Sequence, residues 1–242
     1  QEFHLLPVHQ KSFLDSISNI ASAYHELNEK LKQHDKDFKS SKNLESGWFT
    51  TLPYEDLLKI LKDIANDKLL KIGLDVAASQ LWNGKAYNYS NGSQLTSTQQ
   101  IALMEELATK YPIIFIEDPF HEDDYISFST LTHRLQNRIV CGDDLFTTNL
   151  ERLKYGIMQK ASNAILIKPN QIGTITDTIK VIEEAKRNNM VTVISHRSAE
   201  TDDTLMCHLA VGLNCDYIKL GISGERIIKI NEMIRIEEQI KL

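Results

Sequence analysis

IIFIED (113–118), RIVCGD (138–143) and AILIK (164–168) are three short apolar runs, each reaching an ionisable residue at its end, with longer amphipathic stretches between them. Runs of four to six such residues suit strands buried on both faces, and parallel strands of that kind need helical crossovers. Working outward, the pattern recurs at LKIGLDV (70–76), VTVIS (191–195) and YIKL (217–220). EFHLLPV at the start and a short strand around 43–50 bring the expected number to eight. Helices are expected over 10–34, where Phe13, Ile17, Ile20, Tyr24, Leu27 and Leu31 share one face, and near 54–66. Another should begin near Ser97, with Gln100 closing a capping box, and a further one carries Ile175, Ile179 and Ile182 on a single face. Eight strands alternating with helices over 242 residues have the size of a (β/α)8 barrel, an α/β fold in one domain. A doubly wound sheet is the alternative, but neither G-x-G-x-x-G nor G-x-x-x-x-G-K-[ST] occurs to give it a phosphate turn.

Composition sets the boundaries of function. Hydrophobic residues at 42% and charged residues at 25% allow a packed core and exclude fibrous or largely disordered classes. Lys and Arg total 27 against 33 Asp and Glu, so the net charge of −6 disfavours nucleic acid and anionic membranes as partners. Cys141, Cys207 and Cys215 form no C-x-x-C pair and are odd in number, which suits a reducing compartment; a cytoplasmic protein is expected. No apolar run is long enough for a membrane span. The tripeptides at Asn88 and Asn91 match glycosylation acceptors but matter only in secreted chains.

The residues ending the strands carry the chemistry. Asp75, Glu117, Asp143, Lys168, His196 and Lys219 stand at or just past six successive strand ends. Singly, each reads as a turn or cap residue. Together, in a barrel, they converge on the mouth where the loops after the strands meet. Three carboxylates there are hard oxygen ligands suited to Mg2+, whereas zinc favours Cys and His, and His4, His121 and His208 lack metal-like spacing. Lys168 and Lys219 lie across the same mouth, and positive charge beside a lysine disfavours its ammonium form, making a general base for removing a proton next to a carboxylate. His196, Arg197 and Ser198 offer a cation, a planar donor fork and a hydroxyl suited to a phosphate or second carboxylate. No G-x-S-x-G elbow points to a serine nucleophile.

In order and in spacing, IGLDVAAS, IEDPF, GDDL, LIKPNQIG, SHRSAETDDT, IKLG and GERIIKIN resemble the motifs of the C-terminal barrel domain of the enolases, over essentially all 242 residues. The resemblance implies a TIM-type barrel of the enolase kind, in which the second strand runs antiparallel; QEFHLLPV resembles the first. It implies that Asp75, Glu117 and Asp143 ligate Mg2+, and that Lys168 removes the C2 proton of 2-phosphoglycerate on the way to phosphoenolpyruvate. Lys219 would hold the substrate carboxylate, Arg197 and Ser198 its phosphate, with His196, Gln1 and Glu2 lining the pocket. The family's loop D-E-G-G-F-A-P supplies the acid that protonates the leaving hydroxyl. Here it reads Glu45-Ser46-Gly47-Trp48-Phe49-Thr50-Thr51, so either Glu45 or Ser46 occupies the acid position. A serine cannot act as a general acid near neutral pH, which keeps a degenerate homologue that binds without catalysis as the alternative. The family's N-terminal domain has no counterpart in these residues, and a homodimer is expected of the full-length protein.

Overall fold

A computed structural model describes residues 1–8 and 10–241. Strand β1 (Glu2–Pro7) leads into helix α1 (Phe13–His34) and, after an irregular segment, α2 (Tyr54–Asp67). There follow β2 (Leu70–Asp75), a two-residue pairing of β3 (Tyr87–Asn88) with β4 (Gln94–Leu95), α3 (Ser97–Lys110), β5 (Ile113–Glu117), α4 (Tyr125–Arg134) and β6 (Ile139–Gly142). The chain continues through α5 (Leu150–Gln159), β7 (Ala164–Ile167), the short α6 (Pro169–Ile172), α7 (Ile175–Arg187), β8 (Val191–Ser195), α8 (Leu205–Gly212), β9 (Tyr217–Lys219) and α9 (Ile227–Ile240). Every long strand expected from an apolar run is present; β8 has the expected bounds, and the others are shorter by a residue or two.

The seven long strands form one curled sheet in the order β1-β2-β5-β6-β7-β8-β9, parallel from β2 onward. Strand β1 runs antiparallel to β2, with Glu2 opposite Asp75 and Pro7 opposite Leu70. The antiparallel place that the resemblance gives to a second strand is thus taken by the first strand of this chain. That reversal brings the start of β1 to the C-terminal ends of its neighbours.

The eighth strand expected around 43–50 is absent. Lys42 and Trp48 make only an isolated bridge, because the chain turns on Asn43: Ser46 N–H donates to the Asn43 carbonyl (3.0 Å) and Asn43 N–H to that of Gly47 (2.9 Å). Ser46 adopts φ 65°, the left-handed region. Strands β1 and β9 therefore remain the two edges of a half-barrel, with a cavity of about 920 Å³ between them. Phe13, Ile17, Ile20 and Leu27 of α1 line that cavity, which is why the apolar stripe on this helix is only half-buried.

The helical layer does close. Glu237 of α9 accepts the N–H groups of Phe13 (2.8 Å) and Leu14 (3.2 Å), placing an anion at the N-terminus of α1. Two helix details depart from the sequence reading. The capping box is formed by Thr96 and Gln99, one residue earlier than expected, while Gln100 is fully buried between the Tyr89 hydroxyl (2.8 Å) and the Pro119 carbonyl (3.0 Å). On α7 the buried face is Thr178, Val181, Ile182 and Ala185; Ile175 in the first turn points outward. No helix among the described residues is long and apolar enough to cross a membrane.

Candidate active site

Strand parity explains why the ionisable strand ends converge. Side chains alternate between the two faces of a strand. Phe115, Cys141, Ala164, Leu166 and Val193 form a small cluster inside the curl, whereas Ile116, Val140, Ile165, Ile167 and Ile194 face the helices. Glu117, Asp143 and Lys168 each lie two residues beyond an inward-facing neighbour, Phe115, Cys141 and Leu166 respectively, and so point inward as well. Asp75 and Lys219 follow Leu74 and Ile218, which pack on the helix side, and take the same inward parity. Each run thus ends by placing its charge on the inner face at the mouth.

There the charges pair. Lys219 Nζ donates to Asp75 Oδ2 (2.8 Å) and to Glu117 Oε1 (2.9 Å) and Oε2 (2.8 Å), with Glu2 Oε2 3.8 Å away. Lys168 is ion-paired with Asp143 Oδ2. Burial works against the Lys219 ammonium, but the facing Glu117 and Asp75 carboxylates outweigh it and push its pKa well above the ordinary value. At Asp75 burial is likewise outweighed by Lys219, and the carboxyl sits below its usual range.

The carboxylate oxygens of Asp118, Asp143 and Asp144 lie within 4.8 Å of one another, a set that could hold a cation, while Asp75 groups in the same way with Glu2 and His4. Carboxylates of this kind are hard oxygen donors. Asp143 Oδ1 is buried without any hydrogen-bond partner, an orphan whose cost a metal would remove. The two lysine ammoniums occupy the positions where carboxylate charge is otherwise uncompensated.

Asp118 was not foreseen as a site residue. It holds a left-handed backbone (φ 42°), is 3% exposed, and joins all three carboxylate-bearing strand ends. Its N–H donates to the Cys141 carbonyl (3.0 Å) and its carbonyl accepts from Ala78 N–H (3.1 Å). Its two carboxylate oxygens accept the N–H groups of Asp143 (2.9 Å) and Asp144 (2.7 Å). The only sequence signal was its place after Glu117, which says nothing of these partners. Ala77, Thr147 and Thr148 share its left-handed backbone in the loops of the same mouth, where such strain tends to gather around functional groups.

The irregular segment completes the site from the opposite side. Glu45 Oε2 lies 3.1 Å from His196 Nε2, and Ser198 Oγ donates to Glu45 Oε1. Burial would raise the Glu45 carboxyl, but hydrogen bonds from His196 and Ser198 hold it well below the carboxylate range. Ser46, the other candidate for the acid position, turns away: its carbonyl accepts from the Tyr24 hydroxyl (2.8 Å), and its Oγ stands 3.0 Å from where a Cβ on Gly224 would be. His196 is 4% exposed. Arg197 reaches Asn170 Oδ1 (3.0 Å) at the rim, and Gln1 and Glu2 line the cavity beside Asp75.

Helix α9 and the turn before it hold the His196–Ser198 loop through two buried cations that read as ordinary helical surface in the sequence. Arg226 bonds to the carbonyls of Arg197 (3.1 Å) and Ser198 (2.9 Å). Lys229 pairs with Glu200 (2.7 Å), which in turn accepts Arg197 N–H (2.7 Å).

Comparison with known proteins gives this geometry its relatives. The chain is 42% identical to the enolase of Archaeoglobus fulgidus, over 98% of this chain and 60% of that protein. The enolase of Methanosphaera stadtmanae is 40% identical over 99% of this chain and 61% of its own length, and that of Natronomonas pharaonis 39% over 98% and 61%. The chain thus spans about three fifths of the relatives it matches. The family description "Enolase, C-terminal TIM barrel domain" matches residues 1–241, and with an inward-facing mouth of carboxylates and lysines on a curled parallel sheet, the chain belongs to the enolase family.

Proposed function

We propose that this chain is the barrel portion of a Mg2+-dependent enolase that dehydrates 2-phosphoglycerate to phosphoenolpyruvate, reversibly, in glycolysis. The observation that carries the reading is the convergence of five charged strand ends on one mouth with the Glu45 carboxylate facing them from the other side. In this reading Asp75, Glu117 and Asp143 hold the cation, which supplies positive charge against the substrate carboxylate. Lys168 takes the proton from C2, and Lys219 holds the carboxylate end of the substrate. Arg197 and Ser198 grip the phosphate, with Gln1, Glu2 and His196 walling the pocket. Glu45, which His196 and Ser198 hold ionised in this arrangement, must take up a proton before giving it to the departing hydroxyl, a role that a carboxyl can fill and Ser46 cannot. That Glu45 rather than Ser46 turns into the mouth favours catalysis over binding alone.

The remaining two fifths of the relatives' length corresponds, in this reading, to a capping domain that excludes water from the mouth. The protein works in the cytoplasm, full-length copies pair as a homodimer, and neither nucleic acid nor membrane is a partner. The test is ultraviolet detection of phosphoenolpyruvate formed from 2-phosphoglycerate by the intact protein, with and without Mg2+. Product that depends on Mg2+ supports the reading; no product sinks it.

A further inference from the structure

We infer that Arg226 is a positioning residue that fixes His196 as the Nε2–H tautomer, so that Glu45 always meets a hydrogen-bond donor. Arg226 has no exposed surface and stands where the chain turns into α9. Its Nε–H donates to His196 Nδ1 at 2.8 Å. A guanidinium has donors and no acceptor, so Nδ1 must be the accepting nitrogen and the ring proton lies on Nε2. Nε2 is the atom 3.1 Å from Glu45 Oε2. A proton on Nδ1 would meet the Arg226 N–H head-on and leave the Nε2 lone pair against a carboxylate.

The same side chain sets the second donor to Glu45. Arg226 Nη2 bonds to the carbonyls of Arg197 and Ser198, fixing the backbone from which Ser198 Oγ reaches Glu45 Oε1. Its Nη1 pairs with Glu225. Gly221 makes room for this arrangement. A Cβ at that position would stand 2.4 Å from Arg226 Cδ and 2.6 Å from the Glu45 carbonyl oxygen, so a side chain there would push the arginine and the Glu45 loop apart. Both donors to the Glu45 carboxylate therefore depend on one buried arginine, although Arg226 itself does not touch the mouth.

The inference rests on the reading of Glu45 as the acid, and its test is separable from that reading. Long-range proton–nitrogen correlation spectra of the intact protein at neutral pH, with the His196 signals assigned by their loss in His196→Gln, report the tautomer directly. Nδ1 without a proton and Nε2 with one is the expected result; the reverse tautomer, or an imidazolium, overturns the inference whatever the activity. This tautomer in a protein that forms no phosphoenolpyruvate would leave the positioning intact and overturn the catalytic reading alone. Arg226→Lys keeps the charge but loses the fork. It is expected to mix the His196 tautomers and to lower kcat by about 10-fold or more, with little change in KM. A folded Arg226→Lys protein with the wild-type tautomer and kcat would overturn the inference. If that variant does not fold, the wild-type spectrum still decides.

Discussion

The two sides of the mouth are built by different means. Asp75, Glu117, Asp143, Lys168 and Lys219 stand at the ends of strands β2, β5, β6, β7 and β9, and need only the two-residue alternation of those strands to point inward. Glu45 sits on a loop with no ladder beneath it. Asn43 Oδ1 accepts Glu45 N–H (3.0 Å) and Gly47 N–H (2.8 Å), and Trp48 stacks on Tyr24 with ring centroids 4.5 Å apart while its Nε1–H donates to the Tyr24 carbonyl (2.9 Å). The strand side is fixed by a repeating backbone pattern; the loop side is fixed by a few specific contacts to α1. One difference follows. A strand-borne charge can be removed with the backbone beneath it intact, whereas the loop-borne carboxylate can be lost by breaking contacts far from it.

In the proposed reaction, the largest effects should come from the two groups assigned to move protons, one on each side. Lys168→Ala is expected to lower kcat of the intact protein by about 10²–10⁴ with the fold retained but the melting temperature lowered, because Asp143 loses its ion-pair partner. Glu45→Gln should cost a similar factor, because the amide keeps the shape and loses the acid. Ser46→Ala should leave kcat nearly unchanged. Full activity in Glu45→Gln with loss in Lys168→Ala would show that only the strand side does chemistry.

The same contrast decides what could be read in advance. The strand ends were legible because an Ile-Val-Leu run closing on an acid or base is a local pattern, and six of them in a row define a mouth. Strand pairing could not be read, since the antiparallel β1 has the same apolar composition as its parallel neighbours. The segment 43–50 was misread as a strand: Trp48, Phe49 and Thr50 favour strands, but the turn on Asn43 and the long-range bonds to Tyr24 outweigh that preference. Arg226 and Lys229 in GERIIKIN look like surface residues of an amphipathic helix, and their burial becomes evident only when the His196–Ser198 loop lies across them. Asp118 was counted as the end of a strand, although its partners come from two other strands.

Asp118 offers a way to disturb the strand side from a residue that orients Asp143 and Asp144 and lies within reach of a cation shared with them. Asp118→Asn keeps the volume but replaces one of the two oxygens that accept Asp143 N–H and Asp144 N–H with a donor, setting N–H against N–H. Groups that orient metal ligands from behind typically matter by about 10–100-fold in metal affinity. A loss of that size is expected in Mn2+ binding followed by electron paramagnetic resonance, with the fold retained. Unchanged Mn2+ affinity would mean that strand geometry alone sets the carboxylates.

The smallest effect tests the loop side from a distance. Asp35, just past the end of α1, accepts hydrogen bonds from Thr50 Oγ1 (2.6 Å), Thr51 N–H (2.9 Å) and Thr51 Oγ1 (3.0 Å), anchoring the far end of the Glu45 loop. The Thr50 hydroxyl first, and then the Thr51 N–H, lower the Asp35 carboxyl to about 2. In the unfolded chain the group titrates near about 3.9. Because the folded value is the lower one, the stabilisation is fully present above the unfolded value of about 3.9 and is lost as pH falls through about 2. Asp35→Asn should therefore melt below the wild type at neutral pH, and the difference should shrink as the solution is acidified into that window. A difference that stays constant across the window would mean that the shape of the side chain, rather than its charge, holds the loop. A shrinking difference accompanied by a modest fall in kcat at neutral pH would tie the placement of Glu45 to an ionised group at the other end of its loop, a dependence that no strand-borne residue of the mouth should show.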